Sequence, residues 1–367
     1  MTDKVKLNIQ KEDDLFPEIP ALEEKREIYE LLEIACQKDA SDLHLNVDYP
    51  PILRIYGNLL PLEDRPVLTP GYLEKLIYMI LTEDQKKTLE KEKEIDFSLS
   101  FREKAHFRVN IFYQKGTLAA SFRLIPAKIR TIEELNLPPV LHEFTKPKSG
   151  LFLVTGPTGH GKSSTLAALL DEINKNQAVH ILTIEDPIEY VFEPQKALIT
   201  QRELNTDTNS FSRALRAALR EDPDVILVGE MRDLETMQAA LTVAETGHLV
   251  YSTVHAEDVL SVPDRIISAF PANEQAQVRI ILSSVLLGVL SQRLIPKKGG
   301  GRVPVVELLI ATPAVRSLIR EGKTYQLPSA LQTGVNEGMI TIERSLKDLL
   351  NRGLITEEIV KEVGEKL

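Results

Sequence analysis

Apolar positions along the chain follow three successive rhythms, and each predicts a different kind of element. Over residues 25–38, Ile28, Leu31, Leu32 and Ala35 recur at helical spacing, and Ser41-Asp42 closes that helix. Residues 44–47 and 52–56 read as short strands around the turn-rich Asp48-Tyr49-Pro50-Pro51, with Gly57-Asn58 as the next turn. Helices are expected after Thr69-Pro70 and after Thr82, each opened by a good capping residue. From 96 to 124 the rhythm is alternation: Phe107, Val109 and Ile111 are apolar, Arg108 and Asn110 polar, and 119–124 continues the pattern after Gly116. Together these elements predict helices packed on an antiparallel sheet.

Pro126, Pro138, Pro139 and Pro147 then punctuate a stretch expected to be a hinged linker. The third rhythm starts at Gly150. Residues 151–155, 180–184, 225–229 and 249–254 are short apolar runs separated by helical stretches, the sign of a parallel sheet covered on both faces. After Pro271 the chain is expected to be mostly helical to its end. The resulting division is an N-terminal arm (1–24) that could also serve as a short pairing strand, an α+β domain (25–125), a linker (126–147) and an α/β domain (148–367).

Composition narrows the function classes. There are 44 basic and 54 acidic residues, a net charge of −10, which argues against a surface built to grip nucleic acid. The single cysteine, Cys36, excludes a disulfide framework or a four-cysteine zinc site and suits a reducing cytosol. Residues 1–20 are charged and lack the apolar core of a signal peptide. The most apolar run, 280–290, is broken by Ser283, Ser284 and Gly288 and is shorter than the ~20 residues of a membrane span. Any membrane association is therefore expected to come through partners.

The chemistry begins at Gly156-Pro157-Thr158-Gly159-His160-Gly161-Lys162-Ser163, a full G-x-x-x-x-G-K-[ST] match between a predicted strand and a predicted helix. Glycines let successive backbone N–H groups converge on phosphates, and the helix N-terminus adds partial positive charge. ATP is the expected ligand: Lys162 is expected to reach the β- and γ-phosphates, Ser163 to ligate Mg²⁺, and Ser164 to extend the contact. His160 stands where a small polar residue is expected, either touching nucleotide or facing water.

Hydrolysis also needs an acid that orders the metal and a group that orients water. Two acidic clusters lie beyond predicted strand ends, where α/β sheets place ligands. One is Glu185-Asp186-Pro187-Ile188-Glu189; the other is Glu230, after the strand ending at Gly229. Glu230 is the candidate for organising Mg²⁺ through water, Glu189 for polarising the attacking water, and Glu185 its rival. His255, at the nucleotide end of the 249–254 strand, is the candidate γ-phosphate sensor, with His248 at the opposite end. Arg213, Arg216 and Arg220 read as a solvated helix face. Arg102, Arg108 and Arg123 are candidate arginine fingers from the N-terminal domain or a neighbouring subunit.

These motifs, in this order, resemble the secretion ATPase superfamily of type II secretion and type IV pilus motors. The resemblance runs from residue 40 to about 350: the phosphate loop, an Asp box at 184–190, a modified Walker B at 225–233 and a His box at 246–258. Thr312-Pro313-Ala314-Val315-Arg316-Ser317-Leu318-Ile319-Arg320-Glu321-Gly322-Lys323 and Gly338-Met339-Ile340-Thr341 are similar to elements of its pilus-retraction subgroup. Val315, Ser317 and His160 depart from the usual residues.

The resemblance implies a RecA-like P-loop NTPase domain preceded by a smaller PAS-like domain, assembled as a homohexamer. It also implies a cytoplasmic location at the inner-membrane base of a type IV pilus, with the platform protein and pilin as partners. ATP-driven pilin disassembly, hence twitching motility, is the implied work; the linker with Pro126, Pro138 and Pro139 is the hinge at which hydrolysis is expected to change the angle between domains. Read from its residues alone, 314–323 is an amphipathic helix with Val315, Leu318 and Ile319 inward and Arg316, Arg320 and Glu321 outward. Three other readings remain: a pilus-assembly or type II secretion ATPase, a nucleic-acid translocase, and a slowly hydrolysing nucleotide switch. A short N-terminal region and one cysteine count against the first, the acidic charge against the second, and the poised carboxylates against the third.

Overall fold

A computed structural model describes residues 26–38, 40–55, 57–101, 105–125 and 128–364. The chain divides into two compact units, Met1–Ile125 and Pro126–Leu367. In the first, β1 (Asp42–Asn46), β2 (Ile52–Ile55), β3 (Asn58–Pro61), β4 (Glu94–Phe101), β5 (Ala105–Gln114) and β6 (Thr117–Ile125) form an antiparallel sheet of order β3-β2-β1-β6-β5-β4. Helices α1 (Arg26–Gln37), α2 (Pro70–Tyr78) and α3 (Glu83–Glu92) complete it. The capping reading holds in detail for α3, where Thr82 and Gln85 form a reciprocal capping box. Asp42, expected to end a helix, instead opens β1; the expected turn is present at Gly57 and leads into a third short strand that starts at Asn58.

The second unit is built on a seven-stranded sheet of order β13-β12-β7-β11-β10-β8-β9. Its strands are β7 (Gly150–Thr155), β8 (His180–Glu185), β9 (Leu198–Glu203), β10 (Val225–Val228), β11 (Leu249–Val254), β12 (Leu286–Pro296) and β13 (Arg302–Ile310). All neighbours pair in parallel except β12 with β13. Period-two geometry explains why these strands are apolar at every position. Leu151 and Leu153 enter the core on one face, while Phe152 and Val154 enter the core on the other. Helix α4 (Lys162–Asn176) covers the second face; α5 (Phe211–Ala218), α6 (Leu234–Glu245) and α8 (Gln275–Val285) cover the first. Each fully buried Leu, Ile, Val or Phe contributes roughly 1.5–3 kcal/mol. The unit is the α/β, RecA-like core that the resemblance implied, and the small unit before it carries the antiparallel sheet.

Two expectations about larger segments need correction. The region after Pro271 is not helical throughout: α8 is followed by β12 and β13, which at 11 and 9 residues are the longest pair in the large sheet. The run 280–290 is the end of α8 joined to the start of β12. Residues 128–147 are not a free linker: Ile132, Leu137, Leu141 and Phe144 are buried in the second unit, and Phe144 packs on Phe152 with ring centroids 4.4 Å apart. The N-terminal arm lies outside the described residues.

Beyond the hairpin come α9 (Pro313–Arg320), α10 (Leu327–Thr333), α11 (Ile342–Asn351) and α12 (Glu357–Gly364), with α7 (Ser261–Ser268) earlier in the chain. In α9, Val315 and Ile319 are fully buried as the amphipathic pattern predicts. Arg316 does not point outward. Its guanidinium donates to Ser283 O at 2.9 Å and to Ser284 O, carbonyls left open at the end of α8, and to Ala311 O just before α9. Among the described residues, no helix is long and apolar enough to cross a membrane.

Candidate functional site

Strand β7 hands the chain to a loop, 156–161, that starts α4. Gly161 at the N-cap has φ +85° and supplies no side-chain cap, so the first turn of the helix keeps its donors. Among the described residues, the N–H groups of 159–164 enter no hydrogen bond, while the N–H of Thr165 already bonds Gly161 O at 3.1 Å. Six consecutive unengaged N–H groups at a helix start form a ready anion cradle. The close approach of β12 requires the glycines. A Cβ on Gly156 (φ +132°) would lie 2.2 Å from Gln292 O, and one on Gly161 would lie 2.8 Å from Gln292 Nε2.

Lys162 Nζ donates to Gly156 O at 2.8 Å and Pro157 O at 3.0 Å. Burial pulls its pKa down; Glu230 and Glu189, close enough to act on it, pull it back up. Among the described residues the Ser163 hydroxyl has no hydrogen bond, whereas Ser164 Oγ lies 2.6 Å from the Tyr190 hydroxyl. Ser164 therefore offers a phosphate its backbone N–H rather than its side chain. Pro157, Thr158 and Gly159 are exposed at the loop tip. His160 is part-buried, and its Nδ1 accepts from Leu294 N–H at 2.9 Å. Burial, then the charges of Arg302, Arg293 and Lys162, lower its pKa.

The two acidic clusters differ in character. Glu185, at the end of β8, is buried, and burial raises its pKa to about 7. Both its oxygens are engaged: Oε1 by Thr183 Oγ1 (2.7 Å) and Gln201 Nε2 (3.3 Å), Oε2 by the Glu189 N–H (3.4 Å). These contacts tie it to the turn after β8, where the Asp186–Pro187 peptide is cis and Asp186 is exposed. Glu189, half-buried, is the member of the pair whose charge reaches Lys162.

Glu230 follows β10. Its Oε2 pairs with Arg232 Nε at 2.7 Å, and its Oε1 lies 2.9 Å from His255 Nε2. That second contact is off the hydrogen-bond direction, so the shielded Oε1 accepts no hydrogen bond. The structure thus brings His255 to Glu230, a pairing not visible in the sequence. Thr253 supports the arrangement through Oγ1 to Gly229 O at 2.7 Å. His248 sits at the far end of β11, with Nδ1 3.0 Å from Val243 O, as a structural residue would.

No group of three or more His, Cys, Asp or Glu side chains poised for a metal exists among the described residues. A phosphate-bound Mg²⁺ needs no such cluster, because it keeps most of its waters. The unengaged Ser163 hydroxyl and the orphaned, buried Glu230 Oε1 are oxygen donors that fit such an ion.

The remaining arginines separate. Arg213, Arg216 and Arg220 are exposed on and just after α5, and none forms an ion pair among the described residues. In the first unit, Arg123 Nε pairs with the buried carboxylate of Asp42 at 2.9 Å. Arg108 is half-buried on β5 opposite Arg123, and Arg102 lies outside the described residues. Sequence reasoning missed Gln292, which is 3 % exposed and touches the phosphate loop from β12. The available signal was a lone amide inside an otherwise apolar run.

The model of the type II/IV secretion system protein family matches residues 23–361. The chain is 51 % identical over 341 residues to a protein of Pseudomonas aeruginosa named type IV pilus retractation ATPase PilT, covering 92 % of this chain and 97 % of that one. It is 47 % identical to a twitching motility protein of Neisseria gonorrhoeae, over 85 % of this chain and 83 % of the relative. A crystal structure of the pilus retraction motor PilT with bound ADP superposes with a TM-score of 0.85 at 49 % identity, covering 91 % of this chain and 96 % of that chain.

Proposed function

The chain belongs to the type II/IV secretion system protein family, and from that premise we propose that it is a motor ATPase powering type IV pilus retraction and hence twitching motility. The observation that carries the reading is its likeness, across nearly the whole of both chains, to a pilus retraction ATPase. The site supports it with a cradle of unengaged N–H groups, a lysine, and carboxylates beyond two strand ends.

The N–H groups of 159–164 and Lys162 hold the phosphates of ATP. Ser163 and, through water, Glu230 hold Mg²⁺, which when bound neutralises charge on the β- and γ-phosphates. Glu189 orients water for in-line attack, and its nearness to Lys162 sets it against the phosphate-binding group. His255, against Glu230, shares a charge network that changes when the γ-phosphate leaves. Glu185 keeps Glu189 in place. The working form is a homohexamer at the inner-membrane base of the pilus, engaging platform protein and pilin and meeting the membrane through them. An arginine of the N-terminal unit, Arg102, Arg108 or Arg123, is the arginine finger.

The deciding experiment is complementation of host cells lacking the gene with wild type or Lys162→Ala. Retraction predicts that cells without activity keep surface pili but do not twitch, and that only wild type restores movement. Loss of surface pili would identify an assembly motor instead.

A further inference from the structure

Gln292 reaches the phosphate loop at three points. Its Nε2 donates to His160 O at 2.9 Å, its Oε1 accepts from Thr165 Oγ1 at 2.6 Å, and its own carbonyl lies against Gly156. Register explains the placement. Ser291 of β12 pairs with Thr155 of β7, so Gln292 falls one step beyond the end of β7, beside the loop. A buried amide with both ends engaged is a fixed clamp, because releasing either end leaves a buried polar group unsatisfied.

The clamp acts on one peptide in particular. In a trans peptide the C=O and the following N–H point in opposite directions. Holding His160 O against β12 therefore turns the Gly161 N–H the other way, into the loop, where it makes no hydrogen bond among the described residues. If that peptide rotated, a carbonyl would replace a donor in the anion cradle. The Thr165 contact holds the first turn of α4 to the same side chain.

We propose that Gln292 is a positioning residue for nucleotide binding, setting the His160–Gly161 peptide so that its N–H faces the phosphates. The proposal rests on the loop being the ATP site. Binding of phosphate changes little between ground and transition state at this donor, so its loss shows in affinity more than in turnover.

The test measures ATP hydrolysis and binding of a fluorescent ADP analogue for wild type, Gln292→Met, Gln292→Glu, Thr165→Val and Gln292→Met with Thr165→Val. Gln292→Met, which keeps the volume and removes both hydrogen bonds, is expected to raise KM and the ADP Kd about tenfold, with kcat changed less than about threefold. Thr165→Val is expected to add little on top of Gln292→Met, since the two share one bond.

Gln292→Glu keeps the acceptor for Thr165 and loses the donor to His160 O. A buried carboxyl there regains that donor when protonated, so its KM falls toward the wild-type value as pH is lowered from about 8 to about 6. A merely structural role would lower Tm without this pH signature. Wild-type KM and Kd in Gln292→Met overturn the proposal; if that variant does not fold, a wild-type KM in Gln292→Glu across the pH range does so. Wild-type protein that neither binds ADP nor hydrolyses ATP would instead overturn the functional reading itself.

Discussion

At the N-terminal end of α4, His160 accepts a hydrogen bond from Leu294 through Nδ1 and is held neutral. At the C-terminal end, His142, on a 3-10 helix at Pro139–Thr145, lies 2.7 Å from Glu172 Oε2 through Nδ1 and 2.7 Å from Glu133 Oε1 through Nε2. Only an imidazolium can donate to both carboxylates, so this arrangement favours the protonated ring. Burial opposes its charge, but Glu172 and Glu133 outweigh burial and raise its pKa. One helix is thus fastened by the same residue type in opposite charge states. The difference follows from what each end must do. The start of α4 keeps its donors and Lys162 for an anion, so its fastenings are neutral amides and a neutral ring. The far end carries the negative pole of the helix, so a cation between carboxylates suits it.

The sharpest break in that comparison removes the charge reserved for substrate. Lys162→Ala is expected to lower ATP hydrolysis by about a hundredfold or more while Tm stays near wild type, measured by phosphate release and thermal unfolding. Next come the carboxylates. Glu189→Gln is expected to reduce kcat by roughly a hundredfold with ADP affinity nearly kept, because it loses water orientation rather than phosphate binding. Glu230→Gln is expected to share the loss of kcat and also to weaken the dependence of the rate on Mg²⁺ concentration. Full activity in Glu189→Gln would return the base to Glu185.

How far this contrast could be read from the sequence depends on whether a residue's partner is local. The phosphate loop, its flanking strand and helix, and the carboxylates at the ends of β8 and β10 form contiguous motifs, and the sequence places them to within one residue of their strand ends. Gln292 and His160 meet across 132 residues and His142 meets Glu172 across 30; no spacing rule reports such pairs. The β12–β13 hairpin was missed for a related reason: Leu286 to Leu290 is a short apolar run directly after a helix, where periodicity cannot separate helix from strand. Strand β9 escaped because four of its six residues are polar and most are half-exposed, as an edge strand allows. Arg316 looked like a solvent-facing charge because its partners are backbone carbonyls of another helix.

The two histidines predict opposite pH limbs. His160 has a folded pKa below its ordinary value, so its contribution is present above about pH 6.5 and lost as pH falls through the lowered value. Protonation would place a second proton on Nδ1, against the Leu294 N–H and among Lys162, Arg293 and Arg302. His160→Asn, whose amide oxygen can accept from Leu294, is expected to flatten the acid side of the Tm profile by about 2–4 °C.

His142 gives the smallest effect and the mirror-image sign. Its folded pKa is raised, so its contribution is complete below about pH 6.5 and is lost as pH climbs through the raised value. Around it stand Glu172 from α4, Glu133 from the segment before the 3-10 helix, and Thr145, whose hydroxyl donates to Glu172 Oε1 at 3.2 Å. Glu133 is largely exposed, so solvent screens that arm, and the clamp is worth about 1 kcal/mol or less. His142→Gln is expected to lower Tm by roughly 2 °C at acidic pH and to leave it unchanged at alkaline pH, where the wild-type clamp is already open. ATP turnover should not change, because neither carboxylate belongs to the phosphate site. A fall in Tm at alkaline pH as large as at acidic pH would show that the ring holds the helix end by packing, and the charge contrast between the two ends would then be lost.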